Sequence, residues 1–119
     1  MSRAAVSLTT GLEDAEKVTV ALLVAVGAAE SGRDTLVFLT KEAVRLATAG
    51  VAVGTACGEC PPIPDLMARY EAAGGTFLVC PICFNSKGLD PATLIGNASV
   101  GGTVQLWEWI GDGDTTFSY

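Results

Sequence analysis

Short apolar segments alternate along the chain with longer segments in which apolar and polar residues are mixed. Short apolar runs bounded by turn residues are typical of buried strands, and longer patterned segments are typical of helices. The predicted strands are Ala4–Leu8, Thr35–Leu39, Thr76–Val79, Ala98–Val100 and residues 115–119. The predicted helices cover residues 10–30, 41–49, 65–73 and 103–110, with short helical turns at residues 84–87 and after Asp90. Residues 51–64 are predicted to form a loop because they contain two glycines and three prolines.

Strands and helices therefore alternate from one end of the chain to the other. This alternation predicts an α/β fold with a parallel sheet and helices on its faces. The 119 residues contain no internal repeat, low-complexity tract or linker. We therefore expect residues 1–119 to form a single domain around one core.

The first predicted helix is apolar around its whole circumference over residues 18–26. Thr10 and Glu13 have the spacing of a capping box, which places the start of this helix at that point. Packing on a sheet covers only one face of a helix, so the opposite face needs a second cover. Burial within the same domain is one explanation, but in so short a chain an interface between subunits is favoured.

The charge of the chain argues against nucleic-acid binding. Its net charge is -6, and it contains no cluster of Lys and Arg that could attract a phosphate backbone. The chain also has no histidine, which excludes Ser–His and Cys–His catalysis and any metal site with a histidine ligand within one chain.

No segment has the properties of a membrane span or a signal peptide. The most apolar run covers residues 18–29, shorter than the roughly 18–20 residues that a bilayer requires. Glu13, Asp14 and Glu16 precede this run, where a signal peptide would carry basic residues. We therefore expect a cytoplasmic protein without membrane contact, in which cysteines are reactive thiols or metal ligands rather than structural disulfides.

The four cysteines form two pairs, each with two residues between its members. Cys57 and Cys60 lie in the predicted loop, whereas Cys80 and Cys83 directly follow the third predicted strand. Sites in open parallel sheets form at the carboxyl ends of strands. A cysteine that also begins a helical turn lies near unpaired N–H groups, which favour its thiolate form. Cys80 is therefore the predicted nucleophile, and Cys83 is its predicted resolving partner.

Two other interpretations of the cysteines remain open. Nineteen residues separate the pairs, so Cys57, Cys60, Cys80 and Cys83 have the spacing of a four-cysteine site for zinc or an iron–sulfur cluster. Against this, the intervening residues read as an ordinary helix and strand. In the third interpretation, the thiols are inert and the chain is a non-catalytic subunit of an oligomer. If the thiols are active, the protein needs no cofactor.

The chain resembles the DsrE/DsrF-like sulfur-relay family over nearly its whole length. The resemblance includes residues 9–11, 37–40 and 43–46, and it is most specific over residues 74–89, where a strand is followed by a cysteine, a short helix, a basic residue and a glycine. Counted back from Gly88, Cys80 matches the sulfur-accepting cysteine of the family, and Cys83 matches the second cysteine of some relatives. Cys57 and Cys60 lie outside the family pattern.

The resemblance implies a three-layer α/β fold with a mostly parallel five-stranded sheet and helices on both faces. It also implies a homo-oligomer, often a trimer or a hexamer, whose partners are sulfur-donor and sulfur-acceptor proteins. In such a protein, Cys80 accepts sulfur as a persulfide and passes it on. Lys87 is a candidate cation for holding the anionic sulfur near Cys80, although a lysine at such a position is more often simply exposed to solvent.

Overall fold

The computed structural model describes residues 3–51, 61–112 and 115–119. Its strands are β1 (Ala4–Leu8), β2 (Thr35–Leu39), β3 (Thr76–Val79), β4 (Ala98–Val100) and β5 (Thr115–Ser118). Its α-helices are α1 (Ala15–Glu30), α2 (Ile63–Ala72), α3 (Pro81–Ser86) and α4 (Thr103–Ile110). Segments Leu12–Asp14, Lys41–Ala47 and Pro91–Thr93 are 3₁₀ helices. All five predicted strands are confirmed.

The five strands form one sheet in the order β4-β3-β2-β1-β5. Every neighbouring pair of named strands is parallel, with β1 in register with β2 from Ala4 opposite Thr35 to Leu8 opposite Leu39. The predicted α/β class with a five-stranded sheet is therefore confirmed. All carboxyl ends of the strands lie at one edge of the sheet, which follows from parallel pairing.

Side chains alternate between the two faces of the sheet and separate two hydrophobic cores. The large core contains the β-strand side chains Val6, Leu8, Val37, Leu39, Phe77 and Val79, packed with residues of α1 and α2. The small core contains Leu36, Phe38 and Leu78, with Leu106 and Trp109 of α4 packed against them. Helices therefore cover both faces, but among the described residues the small-core face is covered by a single eight-residue helix.

The start of the first helix differs from the prediction. The Glu13 carboxylate accepts a hydrogen bond from the Gly11 N–H at 2.7 Å, so it reaches back only two residues instead of three. Residues 12–14 form a 3₁₀ turn, and α1 begins at Ala15 with the Asp14 side chain accepting from the Lys17 N–H at 3.1 Å. The predicted capping box at Thr10 is therefore wrong, and Asp14 is the cap.

Two other predicted helices also differ in their bounds or type. The segment predicted as a helix over residues 41–49 is the 3₁₀ helix Lys41–Ala47. The helix predicted from residue 65 begins at Ile63, because Pro64 in its first turn lacks only an N–H that would be unpaired there anyway. The turn predicted at residues 84–87 begins earlier, at Pro81, for the same reason.

The outer face of α1 retains apolar side chains. Val20 and Leu23 are each 42% exposed, whereas Val18, Leu22 and Val26 on the opposite face are buried in the large core. The described residues therefore cover one face of α1 and leave the other face exposed to solvent. Because α1 is apolar on both faces, apolar side chains remain on the exposed one. No helix among the described residues is both long and apolar enough to cross a membrane.

Candidate functional site

Cys80 lies at the junction between β3 and α3. Its N–H donates to the Leu39 carbonyl oxygen at 3.0 Å, which continues the ladder between β2 and β3 by one residue. Its own carbonyl oxygen accepts from the Phe84 N–H at 3.0 Å and closes the first turn of α3. Cys80 is thus the residue before the helix, with an extended backbone held on both sides, and its side chain is half-buried.

The Cys80 side chain lies on the small-core face of the sheet. It follows Leu78 by two residues, so strand alternation directs both side chains to the same face. It packs against the small core together with Leu106 and Trp109 of α4. The thiol therefore lies between an apolar wall and solvent at the carboxyl edge of the sheet.

The first turn of α3 presents free hydrogen-bond donors beside Cys80. Pro81 has no N–H, and the N–H groups of Ile82 and Cys83 donate to no protein group within the described residues. Unpaired N–H groups at the start of a helix carry partial positive charge. They favour negative charge on a neighbouring sulfur, whether a thiolate or a persulfide anion.

Cys83 packs against a different hydrophobic core from Cys80. Both residues are half-buried free thiols, but Cys83 packs against the large core, beside the buried Phe84. The structure therefore brings the two cysteines together along the backbone but directs their side chains to different cores.

Lys87, the candidate cation near Cys80, forms an ion pair with Glu42. Its ammonium group lies 3.0 Å from Oε1 of Glu42, whose Oε2 also lies 2.9 Å from Nε of Arg45. Hydrogen bonds from Lys87 and then from Arg45 hold the pKa of the Glu42 carboxyl below its ordinary value. Lys87 therefore joins the end of α3 to the Lys41–Ala47 segment.

Two residues flank Cys80 in the sheet, and the sequence analysis assigned a role at the site to neither. Leu39 lies opposite Val79, and Val79 lies opposite Val100, so the next positions bring Thr40 and Gly101 to either side of Cys80. A β-carbon on Gly101 would lie 2.6 Å from Cδ1 of Leu78, which explains the absence of a side chain there. The feature of the sequence that could have identified Thr40 as a site residue is its position directly after a predicted strand.

The other predicted cysteine pair, Cys57 and Cys60, lies outside the described residues. Within residues 3–51, 61–112 and 115–119, no group of three or more Cys, Asp or Glu side chains is arranged to hold a metal ion. The four-cysteine set requires both pairs, so zinc or iron–sulfur binding at Cys57, Cys60, Cys80 and Cys83 stays a prediction.

Solved structures share this architecture at low sequence identity. The ychN protein from E. coli superposes with a TM-score of 0.80 and 21% identity over 100% of both chains. A protein of unknown function from Methanobacterium thermoautotrophicum gives a TM-score of 0.71 and 12% identity over 100% of both chains. A further protein of unknown function, from Bacteroides thetaiotaomicron, gives a TM-score of 0.67 and 18% identity over 99% of this chain and 95% of the other chain. These likenesses concern the fold alone.

Sequence comparison identifies the family. No curated protein sequence gives a significant match to the chain. The model of the DsrE/DsrF-like family, in contrast, matches residues 3–119, which include every described strand and helix as well as Cys80 and Cys83. The chain therefore belongs to the DsrE/DsrF-like family.

Proposed function

We propose that this protein is a cytoplasmic sulfur carrier that accepts sulfur as a persulfide on Cys80. The observation that carries the proposal is the half-buried Cys80 thiol between β3 and α3, beside the free N–H groups of Ile82 and Cys83. Membership in a sulfur-relay-type family supports the same assignment. The cytoplasm suits this chemistry because it keeps thiols reduced.

The transfer is an exchange at sulfur. The Cys80 thiolate attacks the outer sulfur of a donor persulfide, R–S–SH. A bond forms between Cys80 Sγ and the outer sulfur as the donor S–S bond breaks, and the donor leaves as R–S⁻, which takes a proton from water. The outer sulfur keeps its oxidation state, so the step needs neither an oxidant nor a reductant. The same exchange with an acceptor thiolate restores Cys80.

Cys83 provides a second route for release. Its thiolate would attack Cys80 Sγ, form a Cys80–Cys83 disulfide and expel HS⁻, so that the two thiols supply the two electrons gained by the carried sulfur. An external thiol would then have to reduce the disulfide. This route therefore depends on an additional reductant, which direct transfer from Cys80 does not need. We therefore propose direct transfer from Cys80 as the main route.

The donor and acceptor are other sulfur-carrying proteins, and the carrier itself is a homo-oligomer. The support for self-association is the outer face of α1, where Val20 and Leu23 are each 42% exposed. Light scattering after gel filtration tests it: the wild type should exceed the mass of one chain, and the double variant Val20→Glu, Leu23→Glu should not. Lys17→Gln, on the same helix, is the matched control. A monomeric wild type at high concentration would contradict the assembly.

The central experiment loads the full-length protein with glutathione persulfide and maps the added sulfur by mass spectrometry. All four thiols are first confirmed to be free. We expect one added sulfur atom on Cys80, its loss in Cys80→Ser and its retention in Cys83→Ser. An unmodified Cys80 in the wild type, with the donor shown to be active on another thiol, would refute the carrier function.

A further inference from the structure

Thr40 lies beside Cys80 in the continued sheet. The register of β2 and β3 pairs Leu39 with Val79, and the hydrogen bond from the Cys80 N–H to the Leu39 carbonyl oxygen, 3.0 Å long, extends this ladder. Thr40 is also held on its other side, because its N–H donates to the Leu8 carbonyl oxygen at 3.1 Å. Neighbouring strands lie about 4.8 Å apart, so Thr40 and Cys80 are lateral neighbours.

The side chains of Thr40 and Cys80 share a face of the sheet. Thr40 has an extended backbone and follows Phe38 by two residues, and Cys80 follows Leu78 by two residues. Phe38 and Leu78 both belong to the small core, and Cys80 packs against it. Strand alternation therefore brings the hydroxyl of Thr40 to the same side as the thiol of Cys80.

The hydroxyl of Thr40 forms no hydrogen bond within the described part of the chain. Thr40 precedes the 3₁₀ helix Lys41–Ala47, yet its side chain makes no capping hydrogen bond, although threonine at such a position commonly does. In the same row, Gly101 has no side chain, and the Thr9 hydroxyl donates to the Tyr119 carbonyl oxygen at 3.1 Å. Thr40 is thus the hydroxyl in this row that remains available to Cys80.

We propose that the Thr40 hydroxyl donates a hydrogen bond to the sulfur at Cys80, first to the thiolate and then to the persulfide anion that replaces it. The inference rests on the proposed sulfur-carrier function for its purpose, but the hydrogen bond to the thiolate would form without any sulfur donor. A donor hydroxyl stabilises the charged sulfur together with the N–H groups of α3. The thiolate is the reactive form, so the hydroxyl raises the reactivity of Cys80 near neutral pH.

Alkylation of the full-length protein by iodoacetamide tests this hydrogen bond. The rate at Cys80 is followed by peptide mapping in a Cys83→Ser background at pH 7 and at pH 10. At pH 7 we expect Cys80 in the Thr40→Val and Thr40→Ala variants to be alkylated about fivefold more slowly than in the protein with Thr40. This is the effect expected from the loss of one hydrogen bond. At pH 10 the difference should largely disappear, because an ordinary cysteine thiol, with a pKa of about 8.5, is mostly ionised there.

Two controls separate the hydrogen bond from packing. Thr40→Ser keeps the hydroxyl and should retain the wild-type rate at both pH values. Ser99→Ala removes a hydroxyl from β4, opposite Leu78 on the same face, and should change neither rate. Equal rates for wild type, Thr40→Val and Thr40→Ala at pH 7, or an equal loss at pH 7 and pH 10, would overturn the inference. Persulfide loading is measured separately, so an unloaded but hydroxyl-dependent Cys80 would refute only the carrier function.

Discussion

Gly75 lies directly against the ring of Tyr70. A β-carbon on Gly75 would lie 2.1 Å from Cε1 of Tyr70, well inside van der Waals contact. The ring cannot move aside easily, because it is fully buried, contacts Phe77 edge-on with centroids 5.0 Å apart, and donates through its hydroxyl to the Thr76 carbonyl oxygen at 2.7 Å. This contact holds the end of α2 against the start of β3, the strand that ends at Cys80.

Replacement of Gly75 by alanine should therefore destabilise the fold. We expect Gly75→Ala to lower the free energy of unfolding by about 2 kcal/mol, the usual range for overpacking, as measured by urea denaturation. Gly27→Ala is the matched control, since a β-carbon at Gly27 in α1 meets nothing within 4 Å. That change should raise the stability by about 0.5–1 kcal/mol because alanine favours a helix. Unchanged stability in Gly75→Ala would contradict the close packing.

The buried Tyr70 hydroxyl should make the protein sensitive to alkali. Burial raises the pKa of Tyr70 above its ordinary value of 10.0. The folded state then holds its proton at a pH at which the unfolded state has lost it, so stability is complete below pH 10 and falls as the pH rises further. Urea denaturation from pH 8 to pH 11 should show this decline.

The variant Tyr70→Phe separates that titration from packing. We expect this variant to lower the free energy of unfolding by about 1–2 kcal/mol at pH 8, because the carbonyl oxygens of Thr35 and Thr76 lose their hydroxyl donor. Above pH 10 its stability should fall less steeply than that of the wild type. Parallel curves for the two proteins would show that Tyr70 does not cause the alkaline decline.

The ion pair between Glu42 and Lys87 should weaken in acid. The pKa of Glu42 is held below its ordinary value of 4.5 by Lys87 and then Arg45, so the stabilisation is present above that value and is lost as the pH falls through the lower folded pKa. Glu42→Gln should therefore be less stable than the wild type at pH 7, with a difference that shrinks towards pH 3. Glu16→Gln, on the exposed side of α1, should show no such convergence.

Metal analysis distinguishes the sulfur carrier from the four-cysteine alternative. If Cys57, Cys60, Cys80 and Cys83 bind zinc or an iron–sulfur cluster, protein isolated without oxygen should contain about one site per chain and lose stability in chelator. The metal should then be absent from both Cys57→Ser and Cys80→Ser. A carrier that uses only Cys80 predicts instead that chelator changes neither the melting temperature nor persulfide loading.

Local patterns in the sequence were sufficient for the strands and the class of fold. The short apolar runs of β1, β2 and β3 are mostly buried, and these strands have the predicted bounds. The more exposed β4 also has its predicted bounds, and the exposed β5 ends one residue earlier than predicted. Helix starts were less predictable, since the cap of α1 depends on whether Glu13 reaches Thr10 or Gly11. In a sequence, proline usually indicates the absence of a helix, and it therefore hid the starts of α2 and α3. Proline is nevertheless compatible with the first turn of a helix, where it lies in both.

The sequence by itself determined that the chain alternates strands with helices and that a cysteine directly follows its third strand. It could not determine which groups meet there, because Thr40 and Gly101 are brought beside Cys80 only by the register of three strands. Only the tertiary structure decided that Lys87 pairs with Glu42 and that Cys80 and Cys83 face different cores. Strand formation depends on local apolar patterns, whereas these contacts depend on which distant segments pack together.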